Sequence, residues 1–360
     1  MKLSIPQQNL AKALSNVARI ATAQSGNAML GNVLLRTDTN KLIVSATNLE
    51  VVIVYTIPAR VESEGAITVP ARILADFVAK LPNTTVELNV EHNLIKVKAG
   101  GFSSTINATD AEEYPAIPES EEPKQFVVSG ADLKLAVNRT IVAVSSDTTR
   151  PIFTGVCFCK KAGKLVLAAT DGYRLAESKT NVAIECDLNF VVPSSALQDV
   201  VRVIESNNDV IVKYSDDQVS FIIDDARVTS RLIDGSFINY DNLIPMENKF
   251  NIKVNRGDLL KATKMAEPFT HPANIITLKT GKHSIAIRSV AGQVGVNSSE
   301  LEAEVKGKES SINLNVRYVI DAINCINGED ITLRYNDPNM AILLSGDDDN
   351  YTHLVMPVRS

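Results

Sequence analysis

Tryptophan is absent from the 360 residues, histidine and cysteine occur four times each, and aromatic residues make up only 5%. So few imidazoles and thiols leave little material for nucleophilic, acid–base or metal chemistry. His92, His271, His283 and His353 stand apart, with no acid or cysteine at ligand spacing, and each is expected at a surface or a sheet edge. Cys157 and Cys159 alternate on a strand-like run and so point to one face, a poor geometry for a disulfide. They also lack the second pair a zinc site requires, so these two, Cys186 and Cys325 read as small core residues of a reducing cytoplasm. No phosphate-binding GxxxxGK[ST] loop, GxGxxG turn or GxSxG elbow occurs. Asp347-Asp348-Asp349-Asn350 lacks the spacing, glycine and glutamate of a calcium loop, and reads as a solvated loop entered through Gly346. No metal and no cofactor is expected, and an enzyme is the weakest reading.

Long apolar runs are missing too. Nowhere do about eighteen apolar residues follow one another, so no membrane-spanning helix is expected. Met1 to Gln8 has no apolar run behind its lysine, which argues against a signal peptide. A cytoplasmic protein is expected.

What the chain does contain is repetition. Val69-Pro70-Ala71-Arg72-Ile73-Leu74 returns as Val192-Pro193-Ser194-Ser195-Ala196-Leu197, and more weakly as Leu314-Asn315-Val316-Arg317-Tyr318-Val319, at offsets of 123 and 122 residues. Leu10, Leu133 and Leu259, each early in an amphipathic segment, are separated by 123 and 126. Two agreeing landmarks predict three domains, placed at 1–120, 125–246 and 250–360. Leu10, Leu14 and Val17 recur at helical spacing, as do Leu133, Val137, Ile141 and Val144. Alternating β-rich runs such as 41–47 and 85–90 follow, and a second helix starts at each Val-Pro landmark. Each domain therefore reads as helix, strands, helix, strands: an α+β fold of three repeated helix/antiparallel-sheet domains. Acidic, proline-bounded Pro118 to Lys124 and the segment Ile244 to Lys249 serve as linkers.

The net charge of −6 would ordinarily argue against nucleic acid, but the six predicted helices sum to +4 and the remainder to about −10. Lys12 and Arg19 are seven residues apart, on the helix face opposite Leu10. Helices gathered on one surface would attract phosphate through Lys12, Arg19, Arg72, Lys80, Lys134, Arg139, Arg202, Lys261, Lys264 and Arg317.

The most informative stretch is Ala169-Thr170-Asp171-Gly172-Tyr173-Arg174-Leu175-Ala176, a strand with both faces apolar that runs into a second strand. Asp171-Gly172 is expected to supply a two-residue hairpin turn. With this stretch stand Gly65 to Arg72, Thr149-Arg150-Pro151-Ile152-Phe153-Thr154-Gly155-Val156 and the terminal Val355-Met356-Pro357-Val358-Arg359. In this order and spacing, end to end, the chain resembles the bacterial sliding clamps, the β subunits of DNA polymerase III.

The resemblance implies a head-to-tail homodimer whose domains close a ring, helices lining the hole, which encircles duplex DNA and slides without sequence specificity. It would tether the replicative polymerase, the clamp loader and repair proteins through short peptides, and would be no enzyme itself. The family's peptide pocket, between domains two and three, maps onto Phe153, Thr170, Gly172, Tyr173, Arg174, Leu175, Leu243, Leu354, Val355, Met356, Pro357, Val358 and Arg359. Leu175, Leu243, Met356 and Pro357 suit an apolar cleft, and Arg174 or Arg359 can orient a peptide's polar groups. Gln24 and Arg150 join the DNA-facing set by the same resemblance, and Phe102 and Phe269 are paired across the dimer contact. The chain departs from the family at Ile238-Asn239, where Pro-Asp is common, and at Gln24 and Ser194-Ser195, where basic residues are common. Those departures keep open a second reading, a three-domain peptide-binding scaffold without ring or DNA.

Overall fold

The computed structural model describes residues 1–22, 27–115, 124–185, 187–205, 208–244, 248–291, 295–348 and 350–358. Gln24, Cys186 and Arg359 lie outside the described residues, as do most of the predicted linkers. Six α-helices occur among them: α1 (Gln7–Ile20), α2 (Ala71–Ala79), α3 (Gly130–Ile141), α4 (Ser194–Val203), α5 (Arg256–Ala266) and α6 (Val316–Cys325).

All six helices follow directly from strands, for a local reason. Lys2–Pro6 runs into α1, Lys124–Ser129 into α3 and Phe250–Asn255 into α5, strands that the helix periodicity alone did not reveal. Before α2, Pro70 at φ −52° ends the strand without a side-chain cap. Before α6 the same junction is closed by Asn315, whose Oδ1 accepts from the N–H groups of Arg317 and Tyr318 at 3.0 and 3.4 Å. The third landmark is weak in sequence because a polar cap replaces proline pre-organisation. Leu10, Leu14 and Val17 are buried as the spacing predicts, as are Leu133 and Val137, whereas Val144 lies beyond the end of α3.

Strand pairing gives three sheets. A five-stranded sheet runs in the order 60–63, 2–6, 85–91, 94–99, 102–107. An eight-stranded sheet runs 124–129, 209–214, 218–223, 226–231, 51–58, 41–47, 32–38, 66–70. A twelve-stranded sheet runs 189–193, 155–161, 164–170, 174–183, 351–355, 342–345, 330–335, 250–255, 295–306, 284–291, 275–280, 310–315. The paired strands among the described residues run antiparallel, and a single rule joins the repeats. The last strand of repeat two (226–231) pairs with 51–58 of repeat one, and the last strand of repeat three (351–355) pairs with 174–183 of repeat two. Sheet continuity therefore overrides the repeat in setting compactness: one unit comprises 1–131 and 195–232, the other 132–194 and 233–360. In the first, α1 packs on strands 41–47 and 51–58 and against α2; in the second, α5 packs on 284–291 and 295–306 and against α6.

Two sequence expectations fail inside the second unit, through one buried network. Arg139 was expected on an exposed basic face, yet only 4% of its side chain is exposed. Its Nε donates to the Cys325 carbonyl at 3.2 Å, its Nη1 pairs with Asp348 at 3.2 Å, and its guanidinium lies 5.2 Å from the Tyr351 ring centre. A charge removed from water needs such partners, and using them takes Arg139 out of any DNA-facing set. His353, expected at an edge, is wholly buried, with Nδ1 2.8 Å from Tyr351 Oη. That hydroxyl also donates to the Arg139 carbonyl at 3.1 Å, so Nδ1 of His353 carries the proton toward Tyr351. Burial, with the positive charge of Arg174 adding to it, pushes the His353 pKa down to about 3.

This histidine stays neutral in the folded chain while the unfolded chain takes up a proton below pH 6.5. Stability should therefore fall as pH drops from 6.5 toward 3, by about 1.4 kcal/mol per pH unit from this group. Urea titrations at pH 6.5 and 5 should show about 2 kcal/mol more acid loss in the native protein than in His353→Phe. Equal losses in the two proteins would contradict a neutral buried His353.

Candidate functional site

Strand Lys164–Thr170 is buried beyond its first residue, as the two apolar faces predict, and it ends in a connection longer than expected. Thr170 pairs with Leu175, so four residues intervene instead of two. Gly172, at φ +92°, is where glycine is required. Asp171 shapes the rest: its Oδ1 accepts from the N–H groups of Tyr173 and Arg174 at 2.8 and 2.9 Å. Thr170 Oγ1 closes the base, donating to the Arg174 carbonyl at 2.5 Å and accepting from the Gly172 N–H at 3.1 Å. With local partners for so many of its groups, this turn is a rigid platform.

The pairing of 174–178 with 351–355 then sets what stands beside it. Arg174 lies opposite Val355 and Leu175 opposite Leu354, and the Met356 N–H donates to the Tyr173 carbonyl at 2.8 Å. The tail continues past the strand, where the Val358 N–H donates to the Asn313 carbonyl at 2.8 Å. Thr170, Leu175, Leu354 and Val355 are buried, and Leu175 and Leu354 form an apolar floor with Ala168, Tyr240 and Leu343. Pro357, Val358 and Phe153 are half-buried. Tyr173, Leu243 and Met356 are 62, 50 and 41% exposed. Large apolar groups over a buried apolar floor are what a docking peptide requires. Leu243 sits on a short 3-10 turn, Asp241–Leu243, at the end of the 233–244 connector.

Arg174 does not reach outward as expected. Its Nε meets Asp171 Oδ2 at 3.0 Å, its Nη1 meets Asp321 Oδ2 at 2.5 Å, and its guanidinium lies 4.3 Å from the Tyr318 ring centre. With 12% of its side chain exposed, it braces the platform against α6. Arg150 also departs from expectation: it lies off the helices, its guanidinium 5.2 Å from the Phe153 ring centre and its Nη1 3.6 Å from where a Cβ on Gly172 would stand. It therefore rims the platform. Sequence reasoning missed Asp321, Tyr318 and Tyr240; of these only Tyr240 carried a signal, as a neighbour of the divergent Ile238-Asn239.

A second arrangement lies wholly in the first unit. Arg19, Arg72 and Arg202 converge on a cleft of about 700 Å3 between α1, α2 and α4, shared with Asp76 and Asp199. Arg202 Nη1 pairs with Asp199 at 2.8 Å; burial raises the Asp199 carboxyl, with Arg202 and Arg19 opposing it. Lys80, Lys261, Lys264 and Arg317 are exposed and Lys134 half-buried. Lys12 pairs with Glu205 at 2.6 Å at the surface. Phe102 is 61% exposed at the start of an edge strand, and Phe269 lies 3.8 Å from where a Cβ on Gly295 would stand. Among the described residues no three histidine, cysteine or acidic side chains cluster to hold a metal, and no helix is long and apolar enough to cross a membrane.

Comparison with known proteins agrees with this layout along the whole chain. The family described as DNA polymerase III beta subunit matches with its N-terminal domain at residues 1–118, its central domain at 127–239 and its C-terminal domain at 241–359. The beta sliding clamp of Synechococcus elongatus is 33% identical over 374 residues, spanning 100% of this chain and 99% of that protein. The crystal structure of the DNA polymerase sliding clamp of Bacillus subtilis superposes with a TM-score of 0.95 at 27% identity, covering 100% of this chain and 99% of that one. A Pseudomonas aeruginosa sliding clamp crystallised with griselimycin gives 0.95 at 26% identity, each chain fully covered. Repeats, sheet pairing and these matches together place the chain in the DNA polymerase III beta subunit family, the bacterial sliding clamps.

Proposed function

We propose that the chain is a processivity factor that closes into a ring around duplex DNA and tethers polymerases through the Tyr173–Met356 platform, with clamp domains at 1–120, 125–246 and 250–360. The observation that carries this reading is the pairing rule. In each join within the chain, the last strand of one repeat pairs with the third strand after the first helix of the repeat before it. Applying the rule once more leaves two candidates. Strand 102–107 is the last of repeat one and ends its sheet, and strand 295–306 meets 250–255 only along 303–306, leaving one edge of 295–302 open among the described residues. Exposed Phe102 and Val296 mark the two edges, at 61 and 63%. Edges of this kind invite pairing, and two different edges on one chain make a head-to-tail contact that closes when the rotation allows. A dimer would then present six repeats, and Phe102 and Phe269 belong to its contact.

Within such a ring the Arg19, Arg72 and Arg202 cleft and the exposed Lys80, Lys261, Lys264 and Arg317 supply phosphate attraction without base contacts, as sliding requires. Gln24, Lys12 and Lys134 complete the DNA-facing set. Topology holds the DNA, so weak contacts suffice. The protein works in the cytoplasm and catalyses nothing; its partners are polymerase, clamp loader and repair proteins, whose apolar anchors seat on Phe153, Leu175, Leu243, Met356 and Pro357.

Loaded by a matched clamp loader with ATP onto nicked circular DNA, the protein should stay bound until a restriction enzyme linearises the circle, and then be lost. Equal retention on both forms would mean contact binding and favour the scaffold reading.

Truncating the two exposed apolar side chains should test the platform. Leu243→Ala with Met356→Ala is expected to weaken griselimycin binding roughly a hundredfold, at about 1–2 kcal/mol per side chain, with dimer mass unchanged. Unchanged affinity in calorimetry would move the ligand site elsewhere.

A further inference from the structure

Below the connector that carries Leu243, the strand Gly155–Lys161 presents Cys157, Cys159 and Lys161 on one face. Lys161 clasps the connector: its Nζ lies 2.5 Å from Asp241 Oδ1, 3.0 Å from Glu177 Oε2 and 3.6 Å from the Tyr240 ring centre. Glu177 is buried, and this ammonium is its nearer counterion, with Lys179 Nζ 3.7 Å from its other oxygen. Burial works against the charge of Lys161, but the hydrogen bonds to Asp241 and Glu177 outweigh it and hold the ammonium above its ordinary value.

Beside the clasp is a cavity of about 250 Å3 lined by Cys157, Cys159, Asn189, Ile238, Tyr240 and Asp241 among others. Cys157 is buried and Cys159 partly exposed. The Tyr240 hydroxyl, in a side chain only 3% exposed, has no hydrogen-bond partner among the described residues. A buried orphan donor beside a cavity of mixed polar and apolar lining marks a place that a ligand group would complete. The two thiols divide their labour. Hydrogen bonding from Cys157 draws the Cys159 thiol down against the cost of burial, helped by the charge of Lys161, while the same contact and burial push Cys157 up. Cys325, by contrast, is raised by burial.

We infer that Cys159 is a site of thiol–disulfide exchange with small disulfides, and that its modification loosens the connector and weakens the peptide platform. The Cys159 thiolate attacks one sulfur of the small disulfide, whose S–S bond breaks as the new one forms. The other half leaves as a thiolate and takes up the proton that Cys159 gave up, so the exchange needs no further oxidant. The attached group must lie in the cavity where Tyr240 and Asp241 stand. Tyr240 belongs to the apolar floor with Leu175 and Leu354, and Leu243 is three residues beyond it, so the disturbance reaches the platform directly. The second half of this inference rests on the peptide-platform reading above; the first does not.

The test uses the full-length protein and oxidised glutathione. Intact mass and peptide mapping should show one glutathionyl group, on Cys159, removed by dithiothreitol. Hydrogen exchange of amides 237–244 should quicken in the adduct, and griselimycin affinity should fall roughly tenfold and recover on reduction. Cys159→Ser should take up no group and keep full affinity, and Cys157→Ser should react more slowly. No adduct, an adduct only at another cysteine, or a Cys159 adduct with unchanged exchange in 237–244 would overturn the inference. Faster exchange together with unchanged griselimycin affinity would refute the coupling. If the unmodified protein binds no griselimycin, the platform reading fails, and mass and exchange still decide whether Cys159 reacts and whether the connector moves.

Discussion

The pairing of strand 174–183 with strand 351–355 is the constraint on which the candidate site depends. It joins residues about 180 positions apart in sequence, at a register of Arg174 with Val355 and Leu175 with Leu354. A slip of one residue would turn Leu175 out of the apolar floor and break the bond from the Met356 N–H to the Tyr173 carbonyl. The register is pinned from both ends: Asp171 and Thr170 fix the turn before it, and the Val358 N–H bond to Asn313 fixes the tail after it. Binding groups on this platform are therefore held by backbone geometry, which costs a ligand less ordering entropy than mobile loops would.

The same long-range pairing explains what could and could not be read from the sequence. Helices and strands were legible because the 3.6-residue and 2-residue periods of Leu10, Leu14, Val17 and of 164–170 are local. The repeat was legible because Val69-Pro70 and Val192-Pro193 solve the same strand-to-helix junction with the same residues. Its third copy was faint because Asn315 solves it by a side-chain cap. Pairing between repeats left no local trace, and so the two compact units that cut across repeat two were invisible in the sequence.

Charge was the least legible property, since a cation's role depends on what the fold brings to it. In the sequence Arg139, Arg174 and Arg202 are three basic residues with nothing local to tell their roles apart. The fold buries Arg139 against Asp348 and Tyr351, spends Arg174 on Asp171 and Asp321, and leaves Arg202 in an open cleft with Arg19 and Arg72. The carboxylates that neutralise the first two sit far along the chain, at positions 348 and 321. The difference matters energetically: removing one partner of a buried pair strands the other charge, at about 3–5 kcal/mol, while an exposed pair is worth under about 1. Burial thus separates arginines that brace the second unit from those that line an open cleft.

That division bears on the connector around Ile238-Asn239, where the resemblance implies a departure from the family pattern. Most contacts that fix the connector there do not involve those two side chains: Lys161 to Asp241 and Glu177, Tyr240 in the floor with Leu175 and Leu354, and the Ile233 N–H bond to the Val191 carbonyl at its start; Asn239 adds one, its Oδ1 accepting from the Asp241 N–H at 3.2 Å. A chain without proline's fixed φ there has a freer unfolded connector, a difference of about 1 kcal/mol or less. In the folded chain a single ammonium held between a buried and an exposed carboxylate, with an aromatic face beneath it, ties the connector down. The clasp concentrates control of the connector in one small cluster, and the two thiols beside it make that cluster chemically addressable.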